Sequence, residues 1–245
     1  MFLNKFKKKK SKIGGLRLKS KFKKTSKKSP LISIIMPNFK SKTLFKSINS
    51  VLNQNYKNIE LLVIDGDSGE KTVKILKKLN NKIDLWISEK DKGMWDGWNK
   101  GIKLARGDFI GIVDSSNVLY PNATKILSNY IINNPKLDFI CGTIKKDGKK
   151  IGGYNPSKIY KKFDIVPSSV VSLFIKRKSL KKVGLLNLKY KIQSDYDLLY
   201  RMIVSHKLKG MQTKGEEIFG DLGDSGFSKK HSFFYKLYIE VIIRF

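Results

Sequence analysis

A chain of 245 residues, 40% of them hydrophobic, holds enough apolar side chain for a packed core, which excludes a wholly disordered protein and fits one large domain with tails. Its single cysteine, Cys141, excludes an internal disulfide framework and fits a reducing compartment. The net charge of +31 points to anionic partners (nucleic acid, acidic lipid or phosphorylated substrates) and says nothing about fold.

Residues 1–30 hold 13 Lys or Arg and no Asp or Glu. Like-charge repulsion and the Gly14-Gly15 pair predict a flexible basic arm. Two readings stand for it: a solvated tail, or a segment docking on an anionic membrane surface, where each lysine contributes about 1 kcal/mol. No run approaches the roughly 20 apolar residues of a membrane span, and the start lacks an apolar signal core. The expectation is a cytoplasmic chain, peripheral on the cytosolic membrane face if the second reading holds.

From Pro30 the pattern changes. Residues 31–36 read as a short apolar strand closed by Pro37-Asn38. Leu44, Ile48, Val51 and Leu52 mark one helix face. Residues 59–64 form a second strand that stops at Asp65. Val73, Leu76 and Leu79 mark the next helix, and residues 83–87 a third strand. Trp98, Ile102 and Ala105 then recur at helical spacing, Gly107 suits a helix C-cap, and residues 109–113 are an apolar strand that stops at Asp114. This β-α-β order predicts a mainly parallel sheet flanked by helices, an α/β fold. Ligands of such sheets bind outside the carboxyl ends of the strands, where Asp65 and Asp114 fall.

Further on, Pro121 starts a helix with Ile126, Leu127, Tyr130 and Ile131 inward. Residues 139–144 read as a strand, Asp147-Gly148 as a hairpin turn, and residues 170–175 as another strand. Residues 194–206 are a helix, with Ser194 and Asp197 at capping-box spacing and Asp195 exposed between them. Residues 220–228 are a polar glycine loop. Residues 233–245 are an aromatic and aliphatic helix that either covers the domain or lies on a membrane. Cys141 reads as a buried small hydrophobe, and Trp95 and Trp98 as core.

Glu89-x-Asp91-x-Gly93, then Asn99-Lys100-Gly101, then Gly107-Asp108 and a strand ending in Asp resemble the inverting family 2 glycosyltransferases of GT-A (Rossmann-like) fold. The resemblance covers residues 31 to about 225. It implies transfer of a sugar from a nucleotide donor, UDP by expectation, to a glycan or lipid-linked acceptor in surface polysaccharide or glycoconjugate synthesis. It divides residues 31–228 into a nucleotide-binding half, 31–117, and an acceptor half, 118–228, followed by the helix in 229–245. Pro37 matches the start of the base-binding turn and Asp65 the acid that meets the base. Asp114 matches the first Asp of the Asp-x-Asp motif, and Asp195 the base that takes the acceptor proton. The chain departs from the pattern at Ser116, where the second, metal-holding Asp stands, and at Ser194, where a Glu stands. Mn²⁺ or Mg²⁺ is still implied, held by Asp114 with Asn117 as a neutral oxygen ligand. Lys92, Lys100 and Arg106 are the cations near enough in sequence to meet a diphosphate. Two other readings stay open: a catalytically impaired nucleotide-sugar-binding relative, and a basic nucleic-acid-binding protein. No base-recognition motif accompanies the charge, so no specific nucleic acid is expected.

Overall fold

The computed structural model describes residues 11–155, 172–223 and 232–244. Within them the chain forms an eight-stranded sheet flanked by helices and a four-stranded sheet beside it. The first half alternates strand and helix: β1 (Lys12–Gly14), β2 (Ile32–Asn38), α1 (Leu44–Leu52), β3 (Ile59–Asp65), α2 (Glu70–Lys78), β4 (Leu85–Ser88), α3 (Met94–Leu104) and β5 (Phe109–Ile112). The second half adds β6 (Val118–Leu119), α4 (Ala123–Asn133), β7 (Phe139–Cys141), β8 (Thr143–Lys146), β9 (Lys149–Ile151), β10 (Leu173–Lys176) and α5 (Arg177–Val183). It ends with α6 (Ser194–Tyr200), a π-turn (Arg201–Ser205), β11 (Gly210–Gln212), β12 (Ile218–Asp221) and α7 (Phe233–Arg244).

The large sheet runs β1-β4-β3-β2-β5-β10-β7-β11. Strands β4, β3, β2 and β5 are mutually parallel, so their carboxyl ends share one edge. Strand β10 is antiparallel to both β5 and β7. The side-chain period of two sorts the core into two layers. Ile32, Ile34 and Met36 face α1 and α4, while Ile35, Leu62, Ile64 and Ile112 face α3, α5 and α6. Both faces are covered, as a parallel sheet requires. The second sheet, β6-β12-β8-β9, closes with a hairpin at Asp147-Gly148, both at positive φ as a type I′ turn demands.

The front of the chain differs from the sequence expectation of a flexible arm through residue 30. Strand β1 pairs antiparallel with β4 and extends the sheet. Arg17 is buried, ion-paired with Glu60, and donates to the Leu104 carbonyl at 2.8 Å. Lys23 meets Asp84 at 3.0 Å, and the Arg106 guanidinium stacks 4.3 Å over the Phe22 ring. The domain therefore begins before Pro30. Arg17 and Lys23 of the arm each meet a carboxylate of the domain, and Phe22 meets a domain guanidinium, which offsets part of the repulsion the arm expectation relied on.

Two local expectations also change. Helix α3 ends at Leu104, and Gly107 caps nothing. A Cβ there would stand 2.7 Å from the Leu31 carbonyl and the Ser33 amide, so glycine lets β5 start against β2. Ser194 and Asp197 form no capping box. Ser194 lies inside α6 and donates to the Asn187 carbonyl, and Asp197 pairs with Arg201 at 2.8 Å. Cys141 is buried, and burial pushes its thiol up to about 12, the behaviour of an inert core cysteine. Trp95 and Trp98 pack edge to face at 5.0 Å in the core, as expected.

Candidate active site

The site lies at the carboxyl ends of the parallel strands. There β2 ends at Asn38, β3 at Asp65 and β4 at Ser88, and β5 runs on to Asp114.

Asp65 is fully buried and does not present an open carboxylate. Oδ1 accepts from Asn38 Nδ2 at 2.6 Å and from Ser68 Oγ at 2.5 Å. Oδ2 accepts from Ser88 Oγ at 2.7 Å and from the Ser68 amide at 3.1 Å. A carboxylate has about four lone-pair positions, so Asp65 is saturated by the protein. A base N–H would reach it only by displacing Ser68. Beside it, Asn38 Oδ1 is buried and has no hydrogen-bond partner among the described residues. Pro37 lies next to Asn38 at the end of β2, and its carbonyl accepts from the Ser115 amide at 3.3 Å.

Segment 114–117 is tied down on several sides. The Ser115 carbonyl accepts from Ser41, Thr43 and Ser47 hydroxyls at 2.9, 2.9 and 2.8 Å, fixing the turn after β5 to the start of α1. Asn117 is buried, and its Oδ1 accepts from the Gly223 amide at 2.8 Å. That oxygen is the one the sequence reading assigned to a metal. Here it holds the segment after β12 instead. Ser116 Oγ is buried without a partner among the described residues. Residues 224–228 of the glycine loop lie outside the described residues.

Asp114 and Asp195 come from opposite halves of the chain, and the Asp195 charge acts on Asp114. Burial, and then the Asp195 charge, raises the Asp114 carboxyl from 3.8 to about 7. Burial also raises Asp195, against the hydrogen bonds its carboxylate accepts from the first-turn amides, including Tyr196 N–H at 3.0 Å. Helix α6 is held in place by Arg201, which donates to the Val183 and Leu185 carbonyls at 2.7 and 2.8 Å.

The motif between β4 and β5 is mainly structural. Lys100 collects Glu89 at 2.8 Å, Asp91 at 2.5 Å and Asp96 at 3.3 Å. Burial alone would lower its ammonium pKa, but the Asp91 and Glu89 carboxylates hold it above the usual value. Lys100 is thus a neutralised hub rather than an open cation for a diphosphate. Asn99 pairs both its amide atoms with the Leu186 backbone at 2.9 and 3.0 Å, stitching α3 to the acceptor half. Arg106 precedes β5 and so lies at the opposite edge of the sheet. Lys92 is exposed.

The fit to a divalent cation rests on oxygen donors. Among the described residues no cluster of three His, Cys, Asp or Glu stands ready for a metal. A carboxylate raised by burial and by a second carboxylate's charge is nonetheless a place where a cation relieves repulsion, and the Ser116 hydroxyl lies two residues from Asp114 with no protein partner among the described residues. These residues fit an ion that takes its remaining ligands from a bound diphosphate.

A mixed, mainly parallel α/β sheet flanked by helices, with acidic residues at the carboxyl edge of its parallel strands, is the architecture of the GT-A class of glycosyltransferase folds. The chain belongs to glycosyl transferase family 2, whose family model matches residues 33–207. An Escherichia coli relative, UDP-Glc:alpha-D-GlcNAc-diphosphoundecaprenol beta-1,3-glucosyltransferase WfgD, is 37% identical over 46% of this chain and 45% of its own length. Among solved structures, S. aureus TarS 1–349 in complex with UDP-GlcNAc matches with a TM-score of 0.63 and 18% identity over 78% of this chain and 58% of that one. The mannosyltransferase PcManGT from Pyrobaculum calidifontis, in complex with GDP-Man and Mn²⁺, matches with a TM-score of 0.60 and 14% identity over 87% of this chain and 64% of that one. The chain spans about half the length of the curated relatives it matches, 59% and 45% for two of them.

Proposed function

We propose that the chain is an inverting glycosyltransferase moving a sugar from a UDP-sugar to a hydroxyl of a glycan or lipid-linked acceptor, in surface polysaccharide or glycoconjugate synthesis. The observation that carries this reading is that Asp114, just beyond β5 at the carboxyl edge of the sheet, feels the charge of Asp195, on the first turn of α6 in the other half of the chain. The donor and acceptor classes take their support from the UDP-Glc and lipid-diphosphate chemistry named for WfgD and from UDP-GlcNAc bound to TarS.

The base lies at the ends of β2 and β3, beside Pro37 and above Asp65. With Asp65 saturated, Asn38 Oδ1 is the acceptor the base N–H meets first. Asp114 lies beside the ribose and diphosphate. A divalent ion, where bound, offsets the charge growing on the leaving diphosphate, and Asp114 would hold it. Asp195 takes the proton of the acceptor hydroxyl. The freed oxygen electron pair attacks the anomeric carbon on the side opposite the diphosphate. The bond from that carbon to the diphosphate oxygen breaks, its electrons leave with the nucleoside diphosphate, and the configuration inverts. Burial makes Asp195 a stronger base than a solvated carboxylate.

The test is turnover of a UDP-sugar panel with lipid-linked and glycan acceptors. A positioned base contributes about 10²–10⁴-fold, so Asp195→Asn should lower kcat by that factor with UDP affinity unchanged. Wild-type protein that binds UDP but transfers no sugar to any acceptor would favour the impaired relative instead.

A further inference from the structure

Helix α7 packs on α6 through one face. Ile239 is buried, Glu240 accepts from Gln193 Nε2 at 2.5 Å, and Arg244 donates to the Tyr196 hydroxyl at 2.8 Å. The other side is apolar and open to solvent. Phe234 is 79% exposed, Tyr238 60%, and Val241 and Ile242 42% each. Their spacing of four, three and one places them along one stripe of the helix. Leu188, 50% exposed, lies in the segment that leads into α6, between the exposed Lys189 and Lys191 and that segment's start at Asn187. Scattered exposed hydrophobics are normal, but four of these share one face of a single helix.

We propose that this stripe docks the protein on the surface of an anionic lipid bilayer. The charge of the protein selects that occupant. The net charge is +31, Lys189 and Lys191 stand exposed next to Leu188, and the one carboxylate of α7, Glu240, is turned to Gln193 on the packed side. Phe and Tyr suit the headgroup boundary, where an amphipathic helix buries its apolar side to a depth of roughly 5–10 Å. No helix among the described residues is long and apolar enough to cross a membrane, so the attachment is peripheral at this surface. The described part of the basic arm, which the sequence offered for this role, is spent on the sheet edge. Helix α6 carries both the contact with α7 and Asp195, so a docked α7 holds the proposed base close to the bilayer. Only this last consequence rests on the transferase reading.

The experiment is co-sedimentation of the full chain with vesicles of phosphatidylcholine alone and of phosphatidylcholine with phosphatidylglycerol, at low and high salt. Wild-type protein should sediment with the anionic vesicles and much less with the neutral ones. Replacing Phe234, Tyr238 and Ile242 together by serine should weaken that binding at least tenfold while Tm and UDP affinity stay unchanged. K189E/K191E should weaken it on anionic vesicles and remove most of the salt dependence. Unchanged binding by the triple-serine variant would overturn the proposal and return the role to residues 1–10. Absence of vesicle binding together with concentration-dependent self-association lost in the triple-serine variant would overturn it in favour of a second copy. UDP affinity is read separately, so failure here and failure of the transferase reading are distinct results.

Discussion

Asp114 and Asp195 impose on one another a cost that appears only when both are ionised. Asp114 has its pKa raised to about 7, so the folded protein binds a proton there that the unfolded chain gives up near 3.8. Its favourable contribution is complete below about 3.8 and is lost as pH rises through about 7. Asp114→Asn should therefore raise Tm relative to wild type more at pH 8 than at pH 5, measured without ligand, and a difference independent of pH would contradict the shift. Ser116 offers a second residue-scale test. A carboxylate introduced at this buried, unpartnered position adds a third negative charge to the crevice. Ser116→Asp should lower the metal-free Tm above pH 7 and enlarge the Tm increase on adding Mn²⁺ with UDP. Equal Mn²⁺ responses in variant and wild type would show that Ser116 does not face the cation.

At the scale of elements, the front of the chain is the least expected part. Glu60 is buried and holds the Ser33 hydroxyl at 2.5 Å, the Arg106 amide at 2.6 Å and the Arg17 guanidinium. Removing one partner of a buried ion pair typically costs about 3–5 kcal/mol, because a charge is left buried and uncompensated. Arg17→Ala should cost that much in urea unfolding, while the double replacement R17M/E60Q, which removes both charges and keeps an acceptor for Ser33 and the Arg106 amide, should cost clearly less. An Arg17→Ala loss below about 1 kcal/mol, the range of exposed pairs, would mean that the arm does not pack as described. The sequence could not disclose this contact. Strand β1 is three residues long, and the residues it pairs with on β4 stand 72 to 76 positions away. By contrast β2, β3, β5 and α3 were legible, because long apolar runs and helical spacing report burial directly. The capping box at Ser194 failed as an inference because its spacing also suits a hydroxyl inside the helix bonding back to a loop.

At the scale of the whole molecule, the proposed site draws on both halves of the chain. The order of carboxylates at strand ends set Asp65 and Asp114 at the carboxyl edge, where the structure has them, and the resemblance proposed Asp195. The saturation of Asp65, the capture of Asn117 by Gly223 and the neutralisation of Lys100 depend on tertiary partners that no local pattern encodes. Asn99 and Arg201 were missed as determinants of the site, although they fix the acceptor half against α3 and α6 through the backbone of residues 183–186.

The proposed donor site at the carboxyl edge of the sheet binds a nucleotide sugar through Asp114. Its most direct test is the thermal shift of wild-type protein and Asp114→Asn with UDP, GDP and a UDP-sugar, each with and without Mn²⁺. At 100 times its Kd a ligand stabilises by about 2.7 kcal/mol. For a chain of this size that moves Tm by roughly 2–4 °C per kcal/mol. The expected result is a shift of several degrees with UDP ligands, enlarged by Mn²⁺ and lost or sharply reduced in Asp114→Asn. No shift with any nucleotide, or an equal shift in both proteins, would contradict it.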